Sequence, residues 1–158
     1  MKIGILVHSL TGNTYSVSQI LKQKLILVGH SVSVERIETD AIENTKEKNV
    51  TKIKLKAIPN INSYDALILA APVRSFSISP MLETYLSQVT SMENKKVGCL
   101  VTQFFPFPQM GGTRAISQIR KICESKGAII SCTGIVNWMI PQRAKKILNV
   151  VDDMSSMF

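Results

Sequence analysis

Several things are missing from this 158-residue chain, and each absence excludes a class of protein. There are three cysteines, Cys99, Cys123 and Cys132, with no CxxC spacing among them. An odd, scattered set of this kind argues against a disulfide framework or a zinc site, and points to a reducing compartment. No apolar run approaches the ~20 residues that a membrane span requires. The longest uncharged stretches, 97–113 and 127–142, are broken by Pro, Gly, Gln and Thr, and the apolar run Ile3–Val7 is too short for a signal-peptide core. The expectation is a soluble cytoplasmic protein. Aromatic residues make up only 6%, so no row of rings is available to stack nucleic-acid bases. Internal repeats, low-complexity tracts and interdomain linkers are also lacking, and one domain over residues 1–158 is expected.

Acidic residues are few. Nineteen Lys and Arg face eleven Asp and Glu, for a formal charge of +8. Such a chain attracts anions: acidic proteins, phosphorylated cofactors or nucleic acid. Much of the excess lies in Lys46, Lys48, Lys52, Lys54 and Lys56. The last three alternate with Ile53, Leu55 and Ala57, the period of a half-exposed strand, so a solvated face or a lysine-protected sheet edge is favoured over a nucleic-acid site. Hydrophobic residues, at 45%, suffice for a core without staples.

What is present is an alternation of short apolar strands and amphipathic helices. Strands are expected at 2–8, 31–37, 66–71, 97–102 and 128–136. Helices are expected at 14–28 (Val17, Ile20, Leu21, Leu25 and Val28 inward), from Pro80 (Met81, Leu82, Tyr85, Leu86, Val89) and from Gly112 to Gly127 (Ala115, Ile116, Ile119, Ile122, Cys123). A last helix follows Pro141 (Ala144, Ile147, Leu148, Val151). This order implies a parallel sheet covered on both faces, joined by right-handed crossovers. Between Ile37 and Ala66 no helical stripe is visible, and a loop with a short extended piece is expected there.

Directly after the first strand comes Ser9-Leu10-Thr11-Gly12-Asn13-Thr14, opening the first helix. A helix start offers unpaired N–H groups and the positive end of a dipole, Gly12 permits a tight turn, and the hydroxyls and amide add donors. Plain N-capping would account for one such residue, but not for five polar or glycine positions in six. The loop lacks the GK[ST] of a Walker motif and the GxGxxG of dinucleotide binding. It is a phosphate-site candidate of a third kind.

SLTGNT resembles the [ST]-x-T-G-x-T phosphate loop of flavodoxins and related FMN-binding proteins. YDALILAAPV is similar to that family's third strand and flavin loop, SPMLETYL to its next helix, and KKVGCLVTQFF to its fourth strand and last flavin-contacting loop. The resemblance covers nearly the whole chain except residues 38–63, and no insertion splits the fifth strand, as in short-chain flavodoxins. It implies an α/β, flavodoxin-like three-layer sandwich: a five-stranded parallel sheet of order 2-1-3-4-5 with helices on both faces. It further implies non-covalent FMN at the carboxyl ends of the strands. The phosphate would lie on Ser9, Leu10, Thr11, Gly12, Asn13 and Thr14. The ring would lie between Pro72, Val73, Arg74, Ser75 and Phe76 on one side and Thr102, Gln103, Phe104 and Phe105 on the other. From the residues themselves, Phe76 and Phe104 or Phe105 could stack on it, or pack over the sheet end as loop anchors or a partner patch. Arg74 could stand near the flavin N1 and O2, bind a cofactor phosphate or an anionic partner, or be an exposed loop arginine.

Two departures accompany the resemblance. Many flavodoxins carry Trp and Tyr in the two ring loops, where this chain has Arg74 and phenylalanines, and their acidic surface is replaced here by a basic one. The first functional reading is a redox protein carrying electrons through FMN, with basic charge favouring acidic redox partners. The second is an NAD(P)H-dependent FMN or quinone oxidoreductase, and the third a flavin-free binding protein on the same fold. Monomer and homodimer both stay open. Trp138 reads as a packing residue at the sheet end, the cysteines as small core residues, and His8 as a neighbour of the phosphate loop. No residue spacing supports a metal site or a catalytic triad.

Overall fold

A computed structural model describes residues 1–39 and 53–158. Nine elements follow in order: β1 (Lys2–Val7), α1 (Asn13–Leu27), β2 (Ser31–Arg36), β3 (Ala66–Pro72), α2 (Pro80–Gln88), β4 (Lys96–Gln103), α3 (Gly112–Ser125), β5 (Ile129–Asn137) and α4 (Arg143–Ser155). The strands form one parallel sheet of order β2-β1-β3-β4-β5. This is the flavodoxin-like α/β fold that the pattern implied, and the element boundaries agree within a few residues.

The central strands are apolar throughout because both of their faces are covered. Alternate residues of β1 divide between two cores: Ile3, Ile5 and Val7 pack with Val17, Leu21 and Leu25 of α1 and Val150, Val151 and Met154 of α4. Leu6, on the opposite face, joins Leu67 and Leu69 of β3, Leu82 and Tyr85 of α2, and Ile119 and Cys123 of α3. Each fully buried Leu or Ile stabilises the fold by roughly 1.5–3 kcal/mol relative to exposure. A Lys24–Asp152 ion pair at 2.7 Å joins α1 to α4 across the surface.

Some expected inward positions lie outward. Ile20 and Val28 on α1 and Ala144 and Leu148 on α4 are exposed, so α4 buries Ile147, Val150, Val151 and Met154 instead. Both helices flank one sheet face, and a stripe narrower than the apolar run suffices to cover it. Strand β5 is an edge. Its pairing with β4 slips between Val97 and Gly98, so that Ser131 is the extra residue of a bulge, a common feature of sheet edges.

In the linker between β2 and β3 the expected extended piece is present. Thr39 bridges Leu55 in antiparallel sense, the Lys56 N–H donates to Glu38 O (2.8 Å), and Ile53 and Leu55 pack on the core while Lys54 and Lys56 face out. Lys46, Lys48 and Lys52 lie outside the described residues. The buried thiols of Cys99 and Cys123 and the half-buried one of Cys132 are held protonated because burial raises them, Cys123 to about 12 and Cys132 to about 11. Among the described residues no helix is long and apolar enough to cross a membrane.

Candidate functional site

In an open parallel sheet the ligand crevice lies outside the carboxyl ends of the strands, where the connections diverge to opposite faces. Here that point is between β1 and β3, and the loops after β1, β3, β4 and β5 meet around it. A cavity of about 430 Å³ opens there, within the roughly 300–1,000 Å³ range of small-molecule sites. Leu10, Thr11, Asn13 and Thr14 line it from the first loop, Pro72, Val73 and Arg74 from the second, Thr102, Gln103 and Phe104 from the third, and Trp138 from beyond β5.

The first loop is built to leave donors open. Gly12 is the N-cap of α1, in the left-handed region at φ 89°, and has no side chain with which to satisfy the first turn. Ser9 Oγ accepts from the Tyr15 N–H at 3.2 Å, while the earlier N–H groups of the turn point out of the helix start. A Cβ on Gly12 would meet nothing within 4 Å, so the space over the loop is clear. Thr14 is buried, its hydroxyl 2.7 Å from that of Thr102, and this bond ties the phosphate loop to the end of β4.

The second loop is a tight hairpin. Arg74 and Ser77 exchange both backbone hydrogen bonds (3.0 and 2.9 Å), with Ser75 (φ 48°) and Phe76 (φ 58°) both left-handed, a type I′ turn without glycine. Such a turn stores about 1–2 kcal/mol of strain per residue, so its surroundings must hold it. Gln118 Oε1 accepts from the Ser77 hydroxyl (2.7 Å) and from the Ile78 N–H (2.8 Å). Gly111 lies so close that a Cβ there would come within 2.8 Å of Phe76 Cα. Phe76 stacks nearly parallel on Phe105 (5.7 Å, 9°), and Phe104 meets Phe105 edge-on.

Two buried side chains, Gln103 above all, hold the third loop. Gln103, buried at the end of β4, donates to the carbonyls of Phe105 (2.9 Å) and Phe107, and accepts from the Gly112 N–H (2.7 Å). Asn137 Nδ2 adds a bond to Phe105 O (3.0 Å). Phe104 (62%) and Phe107 (63%) are left mostly exposed at the mouth.

Ten of the fifteen site residues expected from sequence therefore line one cavity. Ser75, Phe76 and Phe105 line a smaller side cavity of about 120 Å³ that shares Val73, Gln103 and Phe104 with the first. Ser9 faces a third, polar cavity, and Gly12 shapes the loop. His8 is buried with Nδ1 2.8 Å from Ser79 Oγ, an anchor to the start of α2. Trp138 packs against the core, as read from sequence, and also forms part of the cavity wall, with Arg143 over its ring at 4.5 Å while donating to its carbonyl. The signal for it was available: a lone tryptophan just past the carboxyl end of a strand stands at the ligand side of such a sheet.

These residues fit FMN: clear backbone donors at a helix N-terminus for a phosphate, and a flat apolar slot with polar backbone for a flavin ring. The fold has many solved counterparts. A flavodoxin from Megasphaera elsdenii aligns with a TM-score of 0.68 at 18% identity over 98% of both chains. The flavodoxin of Streptococcus pneumonia TIGR4 gives 0.67 at 15% over all of both chains, and a putative flavoprotein from Bacteroides eggerthii 0.69 at 16% over 98% of both. At such identities these likenesses speak for the fold alone. No curated protein matches the sequence at a comparable level. The family model described as NADPH-dependent FMN reductase, however, matches residues 1–144, nearly the whole chain, and so the chain belongs to that family of flavodoxin-like, FMN-binding redox proteins.

Proposed function

We propose that this chain is an oxidoreductase that holds FMN non-covalently in the 430 Å³ cavity and takes its electrons directly from NADPH. The carrying observation is the lining of that cavity: an uncapped helix start at one end, an apolar slot between Val73 and Phe104 at the other, and Arg74 in the wall between. Bound there, FMN would supply the two-electron redox chemistry. The protein's residues do the rest. Thr11, Asn13 and Thr14 bind and orient the phosphate, Trp138 and Phe104 flank the ring slot, and Arg74 places a fixed cation where electron uptake deposits negative charge. A net charge of +8 also suits a multiply phosphorylated reductant.

The proposal is tested by anaerobic absorbance titration of FMN-loaded protein with NADPH, NADH and then dithionite. Bleaching by NADPH within minutes is expected. Bleaching only by dithionite would overturn the reductase reading in favour of a carrier that waits for a protein partner. One observation favours that second reading: three of the five phenylalanines, Phe76, Phe104 and Phe105, are exposed and line the two adjoining cavities. A patch of this kind beside a redox centre fits a docking protein, of acidic character given the charge. A reducing, cytoplasmic setting agrees with the three free thiols.

Arg74 has its own test. At about 4 Å, one charge contributes roughly 1–4 kcal/mol between bulk-water and protein-surface screening. Arg74→Ala is therefore expected to lower the two-electron potential of the bound flavin by about 20–80 mV, at roughly 30 mV per 1.4 kcal/mol. Spectroelectrochemical titration reads this directly, and an unchanged potential would remove Arg74 from the ring site.

A further inference from the structure

Beside the phosphate loop, at the carboxyl ends of β1 and β2, lies a polar cavity of about 250 Å³ that shares no residue with the flavin cavity. Ser9, Arg36, Glu38, Thr39 and Lys56 face it. Arg36 ends β2 and its guanidinium carbon sits 4.3 Å over the Tyr15 ring, which fixes the planar fork. Lys56 is brought to the same place by its backbone bond to Glu38 O and by the neighbouring bond from Thr39 Oγ1 to Lys54 O (2.7 Å). Among the described residues, neither cation has a carboxylate within ion-pair distance, and Glu38 has no cation so placed.

Two solvent-facing cations on the rim of one small cavity favour an anion. A bare phosphate would use both, but would meet the Glu38 carboxylate with like charge and give it nothing to accept. A phosphate carried on a ribose answers all three, because a sugar hydroxyl donates to the carboxylate. Rossmann sheets, whose GxGxxG loop this chain lacks, show the same chemistry, an acidic side chain for ribose hydroxyls and an arginine for a ribose phosphate. We infer that this cavity is a second ligand site, for the phosphoribose of a nucleotide, in which Arg36 and Lys56 hold the phosphate and Glu38 accepts a ribose hydroxyl. The group has two possible sources, the 2′-phosphoribose of NADPH itself or a separate nucleotide.

The test is calorimetric titration of the oxidised, FMN-loaded full chain with adenosine 2′-monophosphate. Saturable binding is expected, weakened at least about tenfold in Arg36→Gln and in Lys56→Gln, the loss typical of a charge-assisted bond. FMN affinity should not change in either variant. Arg36→Gln also removes the stack on Tyr15, so Lys56→Gln, at an exposed position, is the variant that leaves the fold untouched. Absence of saturable binding would overturn the inference, as would equal binding in both variants. So would loss of FMN from both, which would give these cations to the flavin phosphate. The source is read from inhibition of NADPH-driven bleaching: competitive inhibition means that NADPH places its own phosphoribose here, and noncompetitive inhibition means a separate nucleotide. Nucleotide binding without any bleaching by NADPH would leave this site standing while the reductase reading fell; bleaching without nucleotide binding would do the reverse.

Discussion

Gly12→Val is expected to purify without FMN and to bind added FMN at least about a hundredfold more weakly, a loss of roughly 2.7 kcal/mol. Gly12 sits at φ 89° and ψ −7°, a region that costs an L-residue about 1–2 kcal/mol and a β-branched one more. A valine there escapes the strain by rotating the loop, and with it the N–H groups of the first turn of α1. Each charge-assisted bond to a phosphate contributes about 1.5–3 kcal/mol, so misdirecting two accounts for the loss. Fold stability should fall far less. No atom lies within 4 Å of the added Cβ, and nothing in the core has to move. A strain of about 1–2 kcal/mol corresponds to a drop of roughly 2–8 °C in Tm for a chain of this size. Flavin content by absorbance, with thermal melting beside it, separates the two effects. A Gly12→Val protein that keeps its flavin would show that the phosphate lies elsewhere.

The strands and helices were legible because their periods are. β3 is apolar at nearly every position, as burial on both faces demands, and α2 shows its inward stripe of Met81, Leu82, Tyr85 and Leu86 without exception. The loop proposed to hold the phosphate stood out for a different reason: its residues are contiguous and open one helix start. The ring site was legible only as two loops. Periodicity carries no information about where Phe76 and Phe105 come to rest, because a hairpin with two left-handed residues and a close approach by Gly111 decides it, and no local pattern announces a type I′ turn without glycine. Trp138 packs on the core at the sheet end, as read, and also lines the cavity, because sheet order places the end of β5 beside that of β4. Ile20 and Leu148 were misjudged because apolar side chains also populate surfaces; the stripe that packs is narrower than the one that is apolar.

The second large effect is expected at Gln103, a residue that holds the site together from beneath. Gln103→Ala should destabilise the fold by about 2 kcal/mol, lowering Tm by roughly 4–8 °C, because a buried polar group left unpaired costs about 1–3 kcal/mol. The group concerned is the Gly112 N–H at the start of α3; Phe105 O keeps its bond from Asn137, and Phe107 O keeps the one from the Met110 N–H (3.0 Å). With the amide gone the 104–111 loop loses its side-chain tie to β4 and keeps only the bonds from Asn137 and the Met139 N–H, so the Phe104 wall of the proposed flavin slot loosens and FMN affinity should fall about tenfold, the equivalent of roughly 1.4 kcal/mol. Gln103→Glu separates the bonds from the volume. The carboxylate still accepts from Gly112 N–H but faces two carbonyl oxygens with no proton to offer, so its folded-state pKa must rise above the ordinary value of about 4.3. A raised carboxyl contributes stability that is fully present below the unfolded pKa and lost as pH climbs through the folded one. The Glu variant should therefore melt closest to the wild type near pH 4 and lose ground toward pH 7, while Gln103→Ala keeps a constant deficit across the same range. Equal pH profiles for the two variants would mean that packing volume, and not the forked amide, fixes the ring loop.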